Sequence, residues 1–241
     1  MKEKLIDFFN KVLNIKIEWK YTHMVKIIKK TLNEQIYEVL RDEILAQKIS
    51  FGEKLVNKDL QNKFGVSSTP IRDAINRLYM DGLVDEISKT GAKIINFDLK
   101  FATEINEFIC ILCTSAVELS YQRGEKVKIV EILEKIIEKQ KKVKNEEEYF
   151  QQDYMFHKTF FDFSDNIFLK ETYKRYNVLR FLLSKYAYEK YSNKEAAISQ
   201  HGEILEAYRK GEIQKAKDKM TEHCNFGIIK LNEFFSEKGE K

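Results

Sequence analysis

The sequence predicts a mostly α-helical chain: a small N-terminal unit carrying a β-hairpin, then an antiparallel all-helical bundle. Three observations predict it. Proline occurs once and glycine nine times in 241 residues, so few positions break a helix. Apolar residues recur three and four apart along most of the chain. Only residues 83–97 replace that spacing with two short extended runs, set around Lys89, Thr90 and Gly91.

Residues 1–28 form an extension of unassigned role. Leu5, Phe8, Phe9, Val12 and Leu13 give it an amphipathic stretch, and Met24 is an alternative start. Thr31 and Glu34 have capping-box spacing, in which hydroxyl and carboxylate each satisfy a free backbone N–H. A helix is predicted from there, with Leu32, Ile36, Val39, Leu40 and Ile44 as its apolar stripe. Residues 49–55 read as a turn. A short helix follows from about Asn57, with Leu60 and Phe64 inward and Gly65 as its end. The next starts near Ser67, carries Pro70 in its first turn, buries Ala74, Ile75 and Leu78, and ends at Gly82. Beyond Asp98 the expected helices are 99–122, 127–144, 147–163, 167–190, 193–210 and 212–236, with a capping box at Ser192 and Glu195 and a helix-ending Gly211. The junction between an N-terminal domain at 29–97 and a C-terminal one at 98–241 is placed near 96–99.

Hydrophobic content of 43% supports a buried core in each part, no apolar run reaches the length of a membrane span, and nothing at the start reads as a signal peptide. A soluble, cytoplasmic protein is expected. Cys110, Cys113 and Cys224 are an odd number, which argues against a disulfide framework. Cys110 and Cys113 lie in an apolar helical run and read as small hydrophobes on a buried face. The net charge is +4. Residues 1–97 hold 17 Lys and Arg against 13 Asp and Glu, while residues 98–241 hold 25 of each, so the excess sits in the N-terminal part.

Helix, short helix, tight turn, third helix and β-hairpin is the order of a winged helix-turn-helix. The run Val66, Ser67, Ser68, Thr69, Pro70, Ile71, Arg72, Asp73, Ala74, followed by Leu78, Gly82 and Leu83, resembles the DNA-binding domain of the GntR regulator family. Physical chemistry gives these residues matching work. Ser67, Ser68 and Thr69 put hydroxyls where a helix N-terminus already attracts phosphate. Arg72, one turn in, can reach guanine O6 and N7. Lys58 before the recognition helix, and Lys89 with Gly91 in the wing, are candidate phosphate or minor-groove contacts. Many family members carry arginine at the positions of Ser68 and Lys58, so a different operator is expected here.

Asp153 and His157 stand four apart, on one face of a helix. His201 and His223 fall on two other predicted helices, and a bundle can converge such side chains. The pattern of aspartate, histidine four residues on, and two distant histidines resembles the FCD domain, the effector-binding domain of one GntR subfamily. The resemblance implies that Asp153, His157, His201 and His223 hold one divalent transition metal per chain: zinc, nickel, iron or manganese. Two coordination positions would remain for water or a small carboxylate effector, with Arg180 as its candidate cation. The family's arginine and glutamate on the first helix of this domain fall on Ile109 and Cys113 here, which makes the expected pocket more apolar. The expected protein is a homodimeric, DNA-binding transcription regulator rather than an enzyme. A purely structural metal and a metal-dependent enzyme are the rival readings.

Overall fold

The computed structural model describes residues 30–189 and 194–238. The expectations for residues 1–28, including Met24, and for the Ser192 cap lie outside them.

The helix α1 (Leu32–Leu45) buries Ile36, Tyr37, Leu40 and Ile44. Its inward face is turned slightly from the expected stripe: Tyr37 goes in, while Leu32 and Val39 are exposed. The Tyr37 hydroxyl donates to the Asp81 carboxylate at 2.5 Å, and the Arg77 guanidinium sits 4.0 Å over its ring, which ties α1 to the end of the recognition helix. A strand missed in the sequence follows, β1 (Lys54–Val56), lodged in what reads as a turn. Next come α2 (Asn57–Phe64) and α3 (Ser68–Met80). Between them Gly65 takes a left-handed conformation, φ 65°, and its N–H closes onto the Gln61 carbonyl. Ser67 is the N-cap residue of α3, yet its side chain makes no capping hydrogen bond.

The strands β2 (Val84–Ile87) and β3 (Gly91–Ile94) form the wing, and the sheet order is β1-β3-β2, all antiparallel. Val56 pairs with Gly91, and a β-carbon there would lie 1.8 Å from the Leu55 carbonyl oxygen. Only glycine permits that approach, so Gly91 is buried as part of the wing's packing. Its backbone also forms part of the wall of the groove beside the recognition helix.

Six helices follow: α4 (Leu99–Arg123), α5 (Lys126–Lys142), α6 (Glu146–Asp162), α7 (Ile167–Glu189), α8 (Lys194–Arg209) and α9 (Ile213–Lys238). The Asp98 carboxylate caps α4 by accepting from the Phe101 N–H at 2.8 Å. The bundle interior gathers Ile109, Cys113, Val117, Leu133, Phe156, Phe160, Tyr208 and Met220. The winged-helix core does not stop at the expected junction. It continues through Ala102 into Leu179, Leu182 and Leu183 of α7 and Leu231 and Phe235 of α9. Leu179 reaches so close to Gly82, where φ is 79°, that a β-carbon there would lie 2.9 Å from Leu179 Cδ1. One residue-turn earlier, the Arg175 Nε donates to the Met80 carbonyl at the end of the recognition helix. Among the described residues no helix is long and apolar enough to cross a membrane.

Candidate nucleic-acid interface and metal centre

The N-terminus of α3 opens into solvent. Ser67, Ser68, Thr69 and Arg72 are exposed, as are Lys58 on α2 and Lys89 at the tip of the wing. A groove between α3 and the wing is lined by Asn57, Thr69, Arg72, Asn76, Ser88 and Gly91, among others. Of the expected residues, Thr69, Arg72 and Gly91 meet in this groove. Lys58 and Lys89 flank it, with Asn57 Nδ2 donating to the Lys89 carbonyl at 3.4 Å. Asn76 was missed, although its place one helical turn beyond Arg72 was readable from the spacing. An asparagine there suits the hydrogen-bonding edge of adenine. In the wing turn, Ser88 Oγ accepts from the Gly91 and Thr90 N–H groups at 3.2 and 3.3 Å, which holds the tip in shape.

The second site is built differently. Asp153 and His157 project from one face of α6, His201 comes from α8 and His223 from α9. One potential ligand atom from each lies within 4.8 Å of the others. The ring centroids of His201 and His223 are 4.6 Å apart, and those of His157 stand 5.3 and 5.2 Å from them. Asp153, His157 and His201 are buried, and Phe156 stacks on His201 at 3.9 Å.

Partners behind the rings fix which nitrogen faces the centre. His201 Nδ1 is 2.9 Å from Gln140 Oε1, and His223 Nδ1 is 2.9 Å from Gln200 Oε1. A glutamine carbonyl can only accept, so each Nδ1 carries the proton and each Nε2 keeps its lone pair. Behind His157 stands Cys113, with Sγ 3.9 Å from Nδ1. His201 Nε2 is fully buried without a hydrogen-bond partner, 3.5 Å from Asp153 Oδ1. Buried polar atoms are rarely left so. Gln140 and Gln200 gave no sequence signal, since 61 residues separate Gln140 from the histidine it orients.

The electrostatics suit a cation. Burial pushes His157 and His201 well below the ordinary imidazole value and His223 down to about 4, so all three are neutral at pH 7. Burial by itself would raise the Asp153 carboxyl, but Arg180 and the three imidazoles outweigh it and hold it well below the carboxylate range. Three neutral imidazoles and one carboxylate, with an orphaned lone pair among them, fit a borderline divalent ion.

Arg180, the expected cation for an effector, is itself buried and paired within the centre: Nη1 donates to Asp153 Oδ2 at 2.6 Å, and Nε to Asn177 Oδ1 at 3.3 Å. A cavity of about 60 Å³ opens beside the cluster, walled by Ile109, Cys113, Asp153, His157, Arg180 and His223, among others. Ile109 and Cys113 therefore face the cavity. Cys113, read as a buried hydrophobe, is buried as expected but also touches the centre.

Residues 104–226 match the FCD domain, and residues 32–94 match the bacterial regulatory proteins of the gntR family. The chain belongs to the GntR family of DNA-binding transcription regulators, in the group that carries an FCD domain. It is 27% identical over 209 residues to the HTH-type transcriptional regulator YdhC of Bacillus subtilis, covering 86% of this chain and 93% of that one. It is 24% identical over 199 residues to the HTH-type transcriptional repressor RspR of Escherichia coli, covering 80% and 85%. Among solved structures, Lar, described as controlling the Listeria monocytogenes agr system, shares the fold with a TM-score of 0.64 at 21% identity, over 85% of this chain and 98% of that one. Escherichia coli McbR/YncC does so with a TM-score of 0.64 at 19% identity, over 87% and 100%.

Proposed function

We propose that this regulator is a metal-dependent sensor of a small carboxylate, a homodimer whose hold on a pseudo-palindromic operator changes when the acid binds. Asp153, His157, His201 and His223 would hold zinc, nickel, iron or manganese, which supplies a Lewis-acidic anchor for a carboxylate. The observation that carries this reading is the buried, partnerless Nε2 of His201, flanked by a carboxylate and two further imidazoles.

Arg180 would support both states. It neutralises Asp153 within the chain, and its position on the cavity wall lets its guanidinium meet a bound anion. The helix α7 then offers a route from pocket to DNA. Arg180 lies beside Leu179, which packs on Gly82, and Arg175 holds the last turn of the recognition helix. At the other end, Arg72 and Asn76 would read bases, while Lys58, Lys89, Ser67, Ser68 and Thr69 would position the phosphates. A dimer follows because one winged domain makes too few contacts for specific affinity.

The test is elemental analysis of untagged protein, followed by operator binding measured with and without chelator across a panel of small carboxylates. The reading expects one divalent ion per chain and carboxylate-dependent DNA binding that a chelator abolishes. Absence of metal in the purified protein, with no change in melting temperature on adding divalent ions, would overturn it. Metal without any carboxylate response would leave a structural metal.

A further inference from the structure

Gly227 stands inside α9, where glycine weakens a helix relative to alanine. Its backbone does not ask for glycine, since its φ is not positive. Packing does not ask for it either. A β-carbon on Gly227 would meet no atom within 4 Å, in contrast to Gly82 and Gly91. What Gly227 does border is the cavity beside the imidazoles, together with Phe226 and Leu231 of the same helix. The missing side chain is therefore room in the cavity wall rather than relief of a close contact.

Leu231 and Phe235 follow Gly227 at four-residue steps, on the same side of α9. Leu231 lines the cavity and also belongs to the winged-helix core, as Leu183 of α7 does. Phe235 lies in that core too, its ring 6.0 Å from the ring of Phe97. Phe97 stands just beyond β3 and stacks on Phe51 at 5.2 Å. Next to Phe51, the Gly52 N–H donates to the Ile95 carbonyl at 3.1 Å, so these rings close the base of the wing. One packed row thus runs from the cavity to the wing.

We propose that this face of α9 reports the state of the cavity to the wing: Gly227 leaves room for the apolar part of a bound molecule, and Leu231, Phe235 and Phe97 pass on its presence. The proposal rests on the sensor reading for its ligand, and it differs from the α7 route, which ends on the recognition helix. Close-packed interiors rearrange in discrete steps and are not continuously compressible, so a group entering beside Leu231 has to be accommodated along the row. The row is hydrocarbon throughout, so the signal is one of shape and needs no charge to move.

The test uses full-length protein with neither metal nor carboxylate, which keeps its outcome separate from that of the sensor reading. Gly227→Leu places a permanent side chain where the ligand would sit. Hydrogen exchange read by mass spectrometry should then change by about fivefold or more in peptides covering 84–97, with α5 unchanged. Added to Phe235→Leu, the same substitution should leave the wing as it is in Phe235→Leu alone. An unchanged wing in Gly227→Leu, a change undiminished beside Phe235→Leu, or an equal change in α5 overturns the proposal. If Phe235→Leu does not fold, Phe51→Leu takes its place, at a half-buried ring on the far end of the row. Gly227→Ala checks the room directly: a methyl in open space within a helix should raise the melting temperature. A lowered melting temperature, or loss of the fold in Gly227→Leu, would show a packed glycine and refute the proposal.

Discussion

Arg72 and Asp153 are both charged residues on helices, each in the middle of its candidate site. Arg72 stands in solvent on a groove wall, whereas Asp153 is 3% exposed and enclosed by a guanidinium and three imidazoles. The DNA-facing end keeps its polar groups wet until a ligand arrives, so each can act nearly alone. The bundle end has removed its polar groups from water in advance, so each depends on the others. A change at the first end should weaken one contact. A change at the second should disturb the whole cluster.

The sharpest test of that contrast is Arg180→Met. It leaves the buried Asp153 carboxylate without its cation, which costs about 3–5 kcal/mol in comparable buried pairs. Chemical denaturation of metal-free protein should read that loss, and added Ni²⁺ should recover part of it by restoring positive charge. A loss no larger than that of a surface arginine, or no recovery with the ion, would break the comparison.

Acid should expose the same dependence. The three imidazoles are held neutral by burial, with His223 near 4 and the others well below 6.5. The unfolded chain takes up protons below about 6.5 that the folded chain refuses, so stability falls as pH drops from there toward 4. Asp153 adds a loss of the same sign lower down, because its carboxyl is depressed in the folded chain and the unfolded carboxylate takes up its proton first, below about 4. Urea midpoints of metal-free protein should therefore decline between pH 6.5 and 4. A flat profile over that window would contradict neutral, buried histidines.

Effects at the DNA end should be smaller and separable. Arg72→Ala should cost about 1–3 kcal/mol on the specific operator and less on random DNA. Equal losses on both would place Arg72 on the backbone. Lys58→Ala should weaken all sequences alike and reduce the salt slope of binding by about 1. A loss confined to the specific operator would assign Lys58 to a base instead.

The legibility of the two ends differed for a related reason. The recognition helix is a local object, and Gly65, Ser67, Pro70, Arg72 and Gly82 follow one another closely enough for spacing alone to place them. Asp153 and His157, one turn apart, were readable in the same way. His201 and His223 came only through the family resemblance, because their meeting depends on the packing of three helices. Gln140 and Gln200 depend on that packing too, and no resemblance supplied them. The strand β1 escaped because three residues are too few to show a period of two. The junction near 96–99 is a change of pattern along the sequence, and Leu179 and Phe235 carry the first core across it.

The cavity beside the imidazoles sets a chemical scale. Its walls pair Asp153, His157, Arg180 and His223 with Ile109, Leu183 and Leu231, so charge stands on one side and hydrocarbon on the other. A proposed carboxylate seated there would turn its charged head to the first wall and its chain to the second, and chain length and branching, more than added polar groups, would then decide which acids fit.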